Sequence, residues 1–302
     1  MPATTSQFGD LLDMRVTKVY DDEYEQLFNQ DNPLDILYKV EDTKRAYDIE
    51  TQVGAFGDIG QFTGTIGYDE VYQGYDTQYN VVEFAGGFKA QRLLIDTDQF
   101  NVIEDKAKAL GEAAWRSIAK DAMNTFINSF TVAMPGPGGT GDALSLCNNS
   151  HTSTAVTNTF DNLYTTALSA TQVETIRQAF MRTRNDRNDI ISIIPDLLVV
   201  PPELQQTAYE IIASSGKVDT ANNNANFLMG KYKVYSSPWL TSSTDWFMVS
   251  TAHMKRWLKW KWLTKPEFGR DVDFDTLLRK YYVYFARAKG WSDWRFIIGS
   301  DV

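Results

Sequence analysis

The spacing of apolar residues changes near Asn101, from an alternation typical of strands to a period typical of a helix. Before it, aromatic residues stand among polar ones in "YDEVYQGYDTQYNVVEFAGGFKAQRLL", which favours half-buried strands with a turn at Gly86-Gly87. After it, apolar residues spaced three or four apart predict one continuous helix over 101–130, roughly 45 Å long. Asn101 followed by Glu104 predicts the start of this helix.

The first half of the chain otherwise shows little pattern of its own. Residues 1–50 are acidic, and they predict at most a short helix that Pro33 ends. This segment is interpreted as an arm with little core. Residues 51–92 are punctuated by glycines and predict a long two-stranded ribbon. Because such a ribbon is marginally stable alone in water, it is expected to lie on another surface.

The second half predicts a mixture of strands and helices. The stretch "PDLLVVPPELQQTAYEII" at 195–212 is typical of a buried strand, a stop at two prolines and then a helix. The aromatic segment "LLRKYYVYFARAKGWSDWRFII" predicts two strands around a turn at Lys289-Gly290. The fold class that follows is α+β.

Composition and charge exclude several classes of protein. The chain of 302 residues has one cysteine, Cys147, so an intrachain disulfide and a cysteine-rich metal site are excluded and a reducing compartment is expected. No secretory leader or membrane-spanning segment is expected. A net charge of -10 argues against a general nucleic-acid binder, because such proteins bind phosphates through Lys and Arg.

A hydrolase is one alternative function, and it would depend on Ser150 and His151. Cys147, Asp142 and Asp161 lie near them in sequence, so the segment contains the residue types of a nucleophile and its base. Adjacent Ser and His side chains in a loop are not generally aimed at one another, and no strand-turn-helix elbow surrounds them. A hydrogen-bonding role in the loop is therefore favoured, and no catalytic residue is predicted.

Two further motifs match known sites only in form. "GPGGTG" at 136–141 has the glycine spacing of a dinucleotide site, but a helix precedes it and more loop follows. Asp271, Asp273 and Asp275 alternate as in a calcium loop, but Thr276 stands where the turn glycine is needed. We therefore predict no cofactor and no metal site.

A second alternative is a module that binds single-stranded nucleic acid through the cluster Trp257–Trp262 in "KRWLKWKWLTK". In a strand, Leu258, Trp260 and Trp262 point to one side and Lys259 and Lys261 to the other. The pattern therefore favours a core side and a solvent side rather than a nucleic-acid site.

Three motifs carry a resemblance to a known family. They are "PDLLVVPPELQQTAYEII" at 195–212, "GDALSLCNNSH" at 141–151 and "GWSDWRFIIGSD" at 290–301. With the order arm, ribbon, long helix, loop, mixed region and returning strands, the chain resembles the major capsid proteins of tailed bacteriophages with the Hong Kong-type fold. It is most similar to the Mu-like major head subunit family.

The resemblance implies an organisation for the whole chain. It divides the chain into an N-terminal arm (1–50), an extended β-hairpin loop over a neighbouring subunit (51–92), a peripheral domain (93–164 and 266–302, with a spine helix at 101–130) and a mixed α/β axial domain (165–265). Abundant aromatic residues outside the helix fit surfaces that copies of one chain bury. The candidate subunit contacts are Tyr72, Tyr75, Tyr79, Phe84, Phe88 and Lys89.

The resemblance also implies a function. The chain is expected to be a non-enzymatic major capsid protein that assembles as hexamers and pentamers into an icosahedral shell around double-stranded DNA, without sequence-specific binding. The implied partners are a portal, a scaffold or maturation protease and a decoration protein, and scaffolding is expected from a separate chain. The expected location is the virion, after assembly in the host cytoplasm.

Overall fold

The chain forms two β-sheets, a separate two-stranded ribbon and helices packed on the sheets. The computed structural model describes residues 9–302 apart from positions 31, 63, 65, 67, 69, 71, 98–100, 133–140, 217–224 and 274. The helices in this part of the chain are α1 (Gly9–Gln30), α2 (Pro33–Leu37), α3 (Arg92–Thr97), α4 (Val102–Ile127), α5 (Ala170–Met181), α6 (Gln205–Ala213) and α7 (Thr251–Trp257). The strands are β1 (Lys39–Asp42), β2 (Tyr47–Val53), β3 (Gln73–Asn80), β4 (Val82–Gln91), β5 (Leu163–Tyr164), β6 (Leu197–Val200), β7 (Lys233–Ser236), β8 (Trp246–Val249), β9 (Leu258–Val272), β10 (Leu278–Trp291) and β11 (Ile297–Ser300).

The first sheet is elongated and has the strand order β1-β9-β10-β4. Its central strands have 15 and 14 residues, so they extend roughly 45–50 Å. Tyr281 and Val283, two residues apart on β10, are buried with Ala90 of β4 against Ile103 and Ala107 of α4. The helices α1 and α4 therefore cover one face of this sheet.

The prediction of at most a short helix before Pro33 is wrong, because α1 is a helix of 22 residues that packs on α4. The assignment of residues 1–50 as an N-terminal arm stays a prediction. Val16, Tyr20, Tyr24 and Phe28 recur every four residues, which places them on one helix face. Val16 and Tyr20 are buried. The two helices approach closely at Gly111, where a Cβ atom would lie 3.2 Å from the carbonyl oxygen of Tyr20.

The predicted long helix is confirmed as α4, with 26 residues and a length of roughly 39 Å. Its ends differ from the prediction. Asn101 has a left-handed backbone conformation (φ 53°) and its side chain forms no cap hydrogen bond, so the capping interpretation is wrong. The helix ends at Ile127 because the next residues tighten into a turn, in which the N–H of Ser129 donates to the carbonyl of Phe126.

The second sheet has the order β5-β11-β8-β6-β7 and carries the predicted strand-to-helix junction. Strand β6 is buried on both faces: Leu198 and Val200 pack toward α5 and α6, while Leu197 and Val199 pack toward α4 and the first sheet. A continuous apolar run suits a strand covered on both sides. This junction is therefore a structural core element, as its lack of polar chemistry indicated.

Two predicted turns are wrong because Gly86-Gly87 and Lys289-Gly290 both lie inside long strands. Gly86 and Gly87 belong to β4, which pairs antiparallel with β10. Lys289 and Gly290 belong to β10 and pair with β9. The ribbon is instead formed by β2 and β3, which pair antiparallel from Tyr47–Asn80 to Val53–Gln73.

The two sheets share one buried cluster, in which Phe126 of α4, Phe247 of β8 and Trp260 of β9 meet. Strand β9 runs through the predicted domain boundary at 265, and β11 pairs with β8 of the second sheet. The predicted boundaries between peripheral and axial domains stay a prediction.

Candidate assembly surface

The base of the ribbon is held on the first sheet by a cluster of four charged residues. Lys261 of β9, 3% exposed, places Nζ 2.5 Å from Oδ2 of Asp48 and 2.7 Å from Oε1 of Glu50. Lys259 places Nζ 2.7 Å from the same Glu50 oxygen. Asp48 and Glu50 alternate along β2 just as the two lysines alternate along β9, so the side chains meet in pairs. We name Asp48, Glu50, Lys259 and Lys261 the ribbon lock.

The ribbon lock holds its carboxylates ionised at neutral pH. The hydrogen bond from Lys261 lowers the pKa of Asp48. Burial acts to raise the pKa of Glu50, but the hydrogen bonds from Lys259 and Lys261 outweigh it, and the pKa is lowered. Burial also acts against the charge of Lys261, yet its two carboxylate partners raise its pKa. The cluster is therefore mutually stabilised rather than merely adjacent.

The second strand of the ribbon packs on the same place through Tyr79. Its ring is fully buried and lies 4.5 Å from Nζ of Lys261, and its hydroxyl donates to Oε2 of Glu50 at 3.3 Å. Burial raises the pKa of Tyr79 well above its ordinary value, so the hydroxyl stays protonated. Both strands are thus anchored to the lysines of β9.

A loop at 141–162 supports the ribbon from the other side. The hydroxyls of Tyr75 and Thr152 lie 2.7 Å apart, and the hydroxyl of Thr154 donates to the carbonyl of Gln73 at 3.2 Å. The N–H of Gly141 donates to the carbonyl of Asp76 at 3.2 Å. We name residues 141–162 the support loop.

Beyond these anchors, the segment from 54 to 72 exposes large apolar side chains to solvent. We name it the ribbon tip. Its exposed side chains are Phe56 (69%), Ile59 (100%), Phe62 (70%), Ile66 (64%) and Tyr68 (89%). The root of the tip is fixed by the N–H of Gly54, which donates to the carbonyl of Tyr72, and by Arg187, which donates to the carbonyl of Glu70. An apolar surface this extended, on a held base, marks a place of interaction.

The six predicted contact residues fall into different environments. Tyr79 is buried within the chain, and the rings of Phe84 and Phe88 are half-buried and stack on Phe285 and Tyr281 of β10. Tyr72 and Lys89 are exposed, and Tyr75 is half-buried. Their role as subunit contacts stays a prediction.

The geometry does not support the hydrolase alternative. The Ser150 hydroxyl donates to Oδ1 of Asn149, and both ring nitrogens of His151 face other residues, Asp142 and Asn162. The imidazole is buried and stacks on Trp294, with centroids 4.3 Å apart. This arrangement agrees with the predicted hydrogen-bonding role of Ser150 and His151 in the loop.

The tryptophan cluster is core rather than a stacking platform. Trp260 and Trp262 are buried and lie edge to face, 5.3 Å apart. The interpretation of Lys259 and Lys261 as a solvent side is wrong, because the ribbon covers them. The sequence held a signal for this: the alternation of Asp48 and Glu50 in "YDIETQV" matches the alternation of the lysines.

The structure does not support a binding site at the aspartate motif of 271–275. Asp273 pairs with Lys280 at 2.9 Å. In the described part of the chain, no group of three His, Cys, Asp or Glu residues is arranged to hold a metal ion. None of its helices has the length and apolarity needed to cross a membrane. Gly136 and Gly138 of the glycine motif lie outside the described residues.

Comparison with known proteins gives a consistent result. The phage capsid protein family model matches residues 74–299. A search of the curated proteins found no match. Similar solved structures include the capsid of bacteriophage JBD30 decorated with minor capsid protein trimers (TM-score 0.54, 14% identity, covering 69% of this chain and 90% of that one). Another is the capsid of the cyanophage P-SCSP1u (TM-score 0.57, 9% identity, covering 88% of this chain and 86% of that one). A third is Mycobacterium phage Patience (TM-score 0.57, 7% identity, covering 94% of this chain and 87% of that one).

These structural similarities establish the fold, and the family match covers both sheets apart from β1 and the last residue of β11. The predicted Hong Kong-type capsid fold and the predicted major capsid function are therefore confirmed. The chain belongs to the phage capsid protein family.

Proposed function

We propose that copies of this capsid protein assemble as hexamers and pentamers into an icosahedral shell that encloses double-stranded DNA. The observation that carries the proposal is the ribbon tip, whose base is locked to the chain while Ile59 at its middle is fully exposed. The held base keeps this apolar segment at one place on the chain, where a partner can cover it. A second copy of the chain is the partner that a shell supplies in every direction.

The proposal assigns roles along the chain. The ribbon tip, which ends at Tyr72, would lie over a neighbouring subunit, together with Lys89 on the edge strand β4. Tyr79 would serve instead inside the chain, because its ring has no exposed surface. Residues 93–164 and 266–302 would form the peripheral domain and 165–265 the axial domain.

Further partners follow from the resemblance to the Mu-like major head subunit family. We expect a portal, a scaffold or maturation protease and a decoration protein, with assembly in the host cytoplasm and the shell as part of the virion. The net charge of -10 supports enclosure of DNA without tight or sequence-specific binding. The proposed role is structural and assigns no catalysis to the chain.

We expect that replacing Ile59 and Phe62 together by serine abolishes assembly while leaving the fold intact. Both side chains are exposed in the single chain, so their loss removes apolar area from the subunit contact but not from the core. Purified wild-type protein should form ring-shaped capsomers or megadalton particles in negative-stain micrographs and on sedimentation. The double variant should stay small, with a thermal midpoint within about 2 °C of the unassembled wild type.

The matched control is Gln61→Ser, which alters a polar exposed residue between the two apolar ones. It should assemble as the wild type does. A wild-type protein that remains monomeric at high concentration, or a double variant that assembles fully, would contradict the proposal.

A further inference from the structure

His151 of the support loop is a buried histidine with oxygen atoms at both ring nitrogens. Its side chain is 1% exposed. Nδ1 lies 2.5 Å from Oδ2 of Asp142, and Nε2 lies 3.2 Å from Oδ1 of Asn162. A neutral imidazole carries one hydrogen, so it can donate at only one of these two places.

The orientation of the Asn162 amide settles which atom faces Nε2. Its Nδ2 donates to the carbonyls of Leu146 at 2.9 Å and Ile297 at 3.1 Å, and its Oδ1 accepts from the N–H of Asn148 at 2.7 Å. Turning the amide over would break all three hydrogen bonds. The atom opposite Nε2 is therefore an acceptor, and a hydrogen on Nε2 makes this contact a hydrogen bond.

A hydrogen on Nε2 leaves a lone pair on Nδ1 of a neutral ring, directly opposite the Asp142 carboxylate. Two acceptors at 2.5 Å repel each other unless a proton lies between them. We propose that Asp142 and His151 together hold this extra proton at neutral pH, and that the proton fixes the support loop under the ribbon.

The charges around the ring are consistent with a retained proton. Trp294 stacks on the imidazole at an interplanar angle of 7°, and an aromatic face favours a cation. Arg295, across Trp294, is paired with Asp293 at 2.9 Å, so its positive charge is offset.

Two further carboxylates of the packed elements are hydrogen-bonded elsewhere. In the support loop, the carboxylate of Asp161 accepts from the N–H of Leu163. On β3 of the ribbon, the carboxylate of Asp76 accepts from the hydroxyl of Thr51. The carboxylate at hydrogen-bond distance from the ring is therefore that of Asp142.

The proton matters to the position of the ribbon because the support loop joins two parts of the molecule. Asn162 connects it to β11 through the carbonyl of Ile297, and Thr152 connects it to the ribbon through Tyr75. If the proton were lost, the lone pair of Nδ1 or Nε2 would face the oxygen of Asp142 or Asn162. The support loop would then hold the ribbon less firmly. The protein thus contains a proton-dependent clamp whose hold weakens in alkaline solution.

The sign of the pH effect follows from proton counting. Above about pH 6.5 an unfolded histidine is largely neutral, whereas the folded pair retains its proton. The folded state then binds one proton more, so the unfolding constant rises with pH by up to about tenfold per unit until the pair is deprotonated.

Nitrogen NMR of protein labelled with ¹⁵N-histidine tests the proposal directly. The chain has only two histidines, so a His253→Asn variant assigns both sets of signals. Burial lowers the pKa of His253, which should be neutral at pH 8. His151 should show two protonated ring nitrogens at that pH. A neutral His151 at pH 8 would overturn the proposal.

Asp142→Asn provides the second arm. It removes the carboxylate that shares the proton, so His151 should become neutral at pH 8. In the assembly-deficient Ile59→Ser, Phe62→Ser background, the rise of the unfolding constant between pH 7 and 9 should shrink relative to the same background with Asp142. Lys289, whose pKa burial lowers to about 8, titrates in both proteins and cancels in this comparison. An unchanged pH slope would refute the clamp. Should the variant not fold, the wild-type spectrum alone gives the answer.

Discussion

Replacing Lys261 by methionine is expected to destabilise the folded chain by about 3 kcal/mol. Methionine fills similar volume but cannot pair with Asp48 or Glu50. Glu50 keeps its ion pair with Lys259, whereas Asp48 loses its ion pair with Lys261. Removing one partner of a buried ion pair costs more than the pair contributes, because the remaining charge is uncompensated. Urea unfolding measures the change, in the assembly-deficient Ile59→Ser, Phe62→Ser background that keeps the chain single.

Lys265→Met is the matched control on the same strand. Lys265 also pairs with an acidic residue, Asp42, but at 3.3 Å and with both side chains about two-thirds exposed. Exposed pairs of this kind contribute about 0–1 kcal/mol, so the control should change the unfolding free energy by no more than about 1 kcal/mol. Equal effects at the two lysines would show that the ribbon lock is not buried as described.

The same cluster sets a pH window for the ribbon. Because the folded-state pKa values of Asp48 and Glu50 are lowered, their stabilisation is present above the ordinary carboxyl range of about pH 4 and is lost as pH falls through the lowered values. The pKa of Lys261 is raised, so its part is lost only as pH rises above about 10.5. In Lys261→Met, the acid side of this dependence should shrink.

The elements that depend on local pattern could be predicted from the sequence. The long helix α4 carries apolar residues at helical spacing, and the junction at 195–212 carries them in one continuous run. Each pattern by itself indicates the type of element and its buried positions. Helix α1 could also have been predicted, since its apolar residues recur at four-residue spacing: Val16, Tyr20, Tyr24 and Phe28. The acidic residues of this helix obscured the apolar spacing, although Asp21, Asp22 and Glu25 are exposed.

What could not be predicted depends on which segments meet across the chain. Strand β9 was correctly expected to alternate, but alternation alone does not say whether the lysine face meets water or another strand. The ribbon that covers it comes from residues more than 200 positions away in sequence. The same limit applies to His151, whose partners Asp142 and Asn162 meet only when the support loop closes.

Glycine pairs show this limit most clearly, because a glycine permits a turn and equally permits a close approach by another backbone. Gly86 and Gly87 predicted a turn from local chemistry, yet both lie in β4 beside β10. The position of the neighbouring strand determines whether each glycine forms a turn or allows another backbone to approach. At Gly87 a Cβ atom would lie 2.3 Å from the carbonyl oxygen of Tyr281, whereas at Gly86 nothing lies within 4 Å.

Gly87→Ala is therefore expected to destabilise the chain by at least about 2 kcal/mol, since the atom it meets is backbone and the β4–β10 pairing must shift to admit it. Gly86→Ala, one residue away in the same strand, should be neutral or stabilising by up to about 1 kcal/mol, because alanine loses less backbone entropy on folding. Urea unfolding of the two variants in the assembly-deficient background compares them directly. Opposite signs would establish the close strand approach at Gly87, while equal effects would mean that β4 does not lie against β10 in this register.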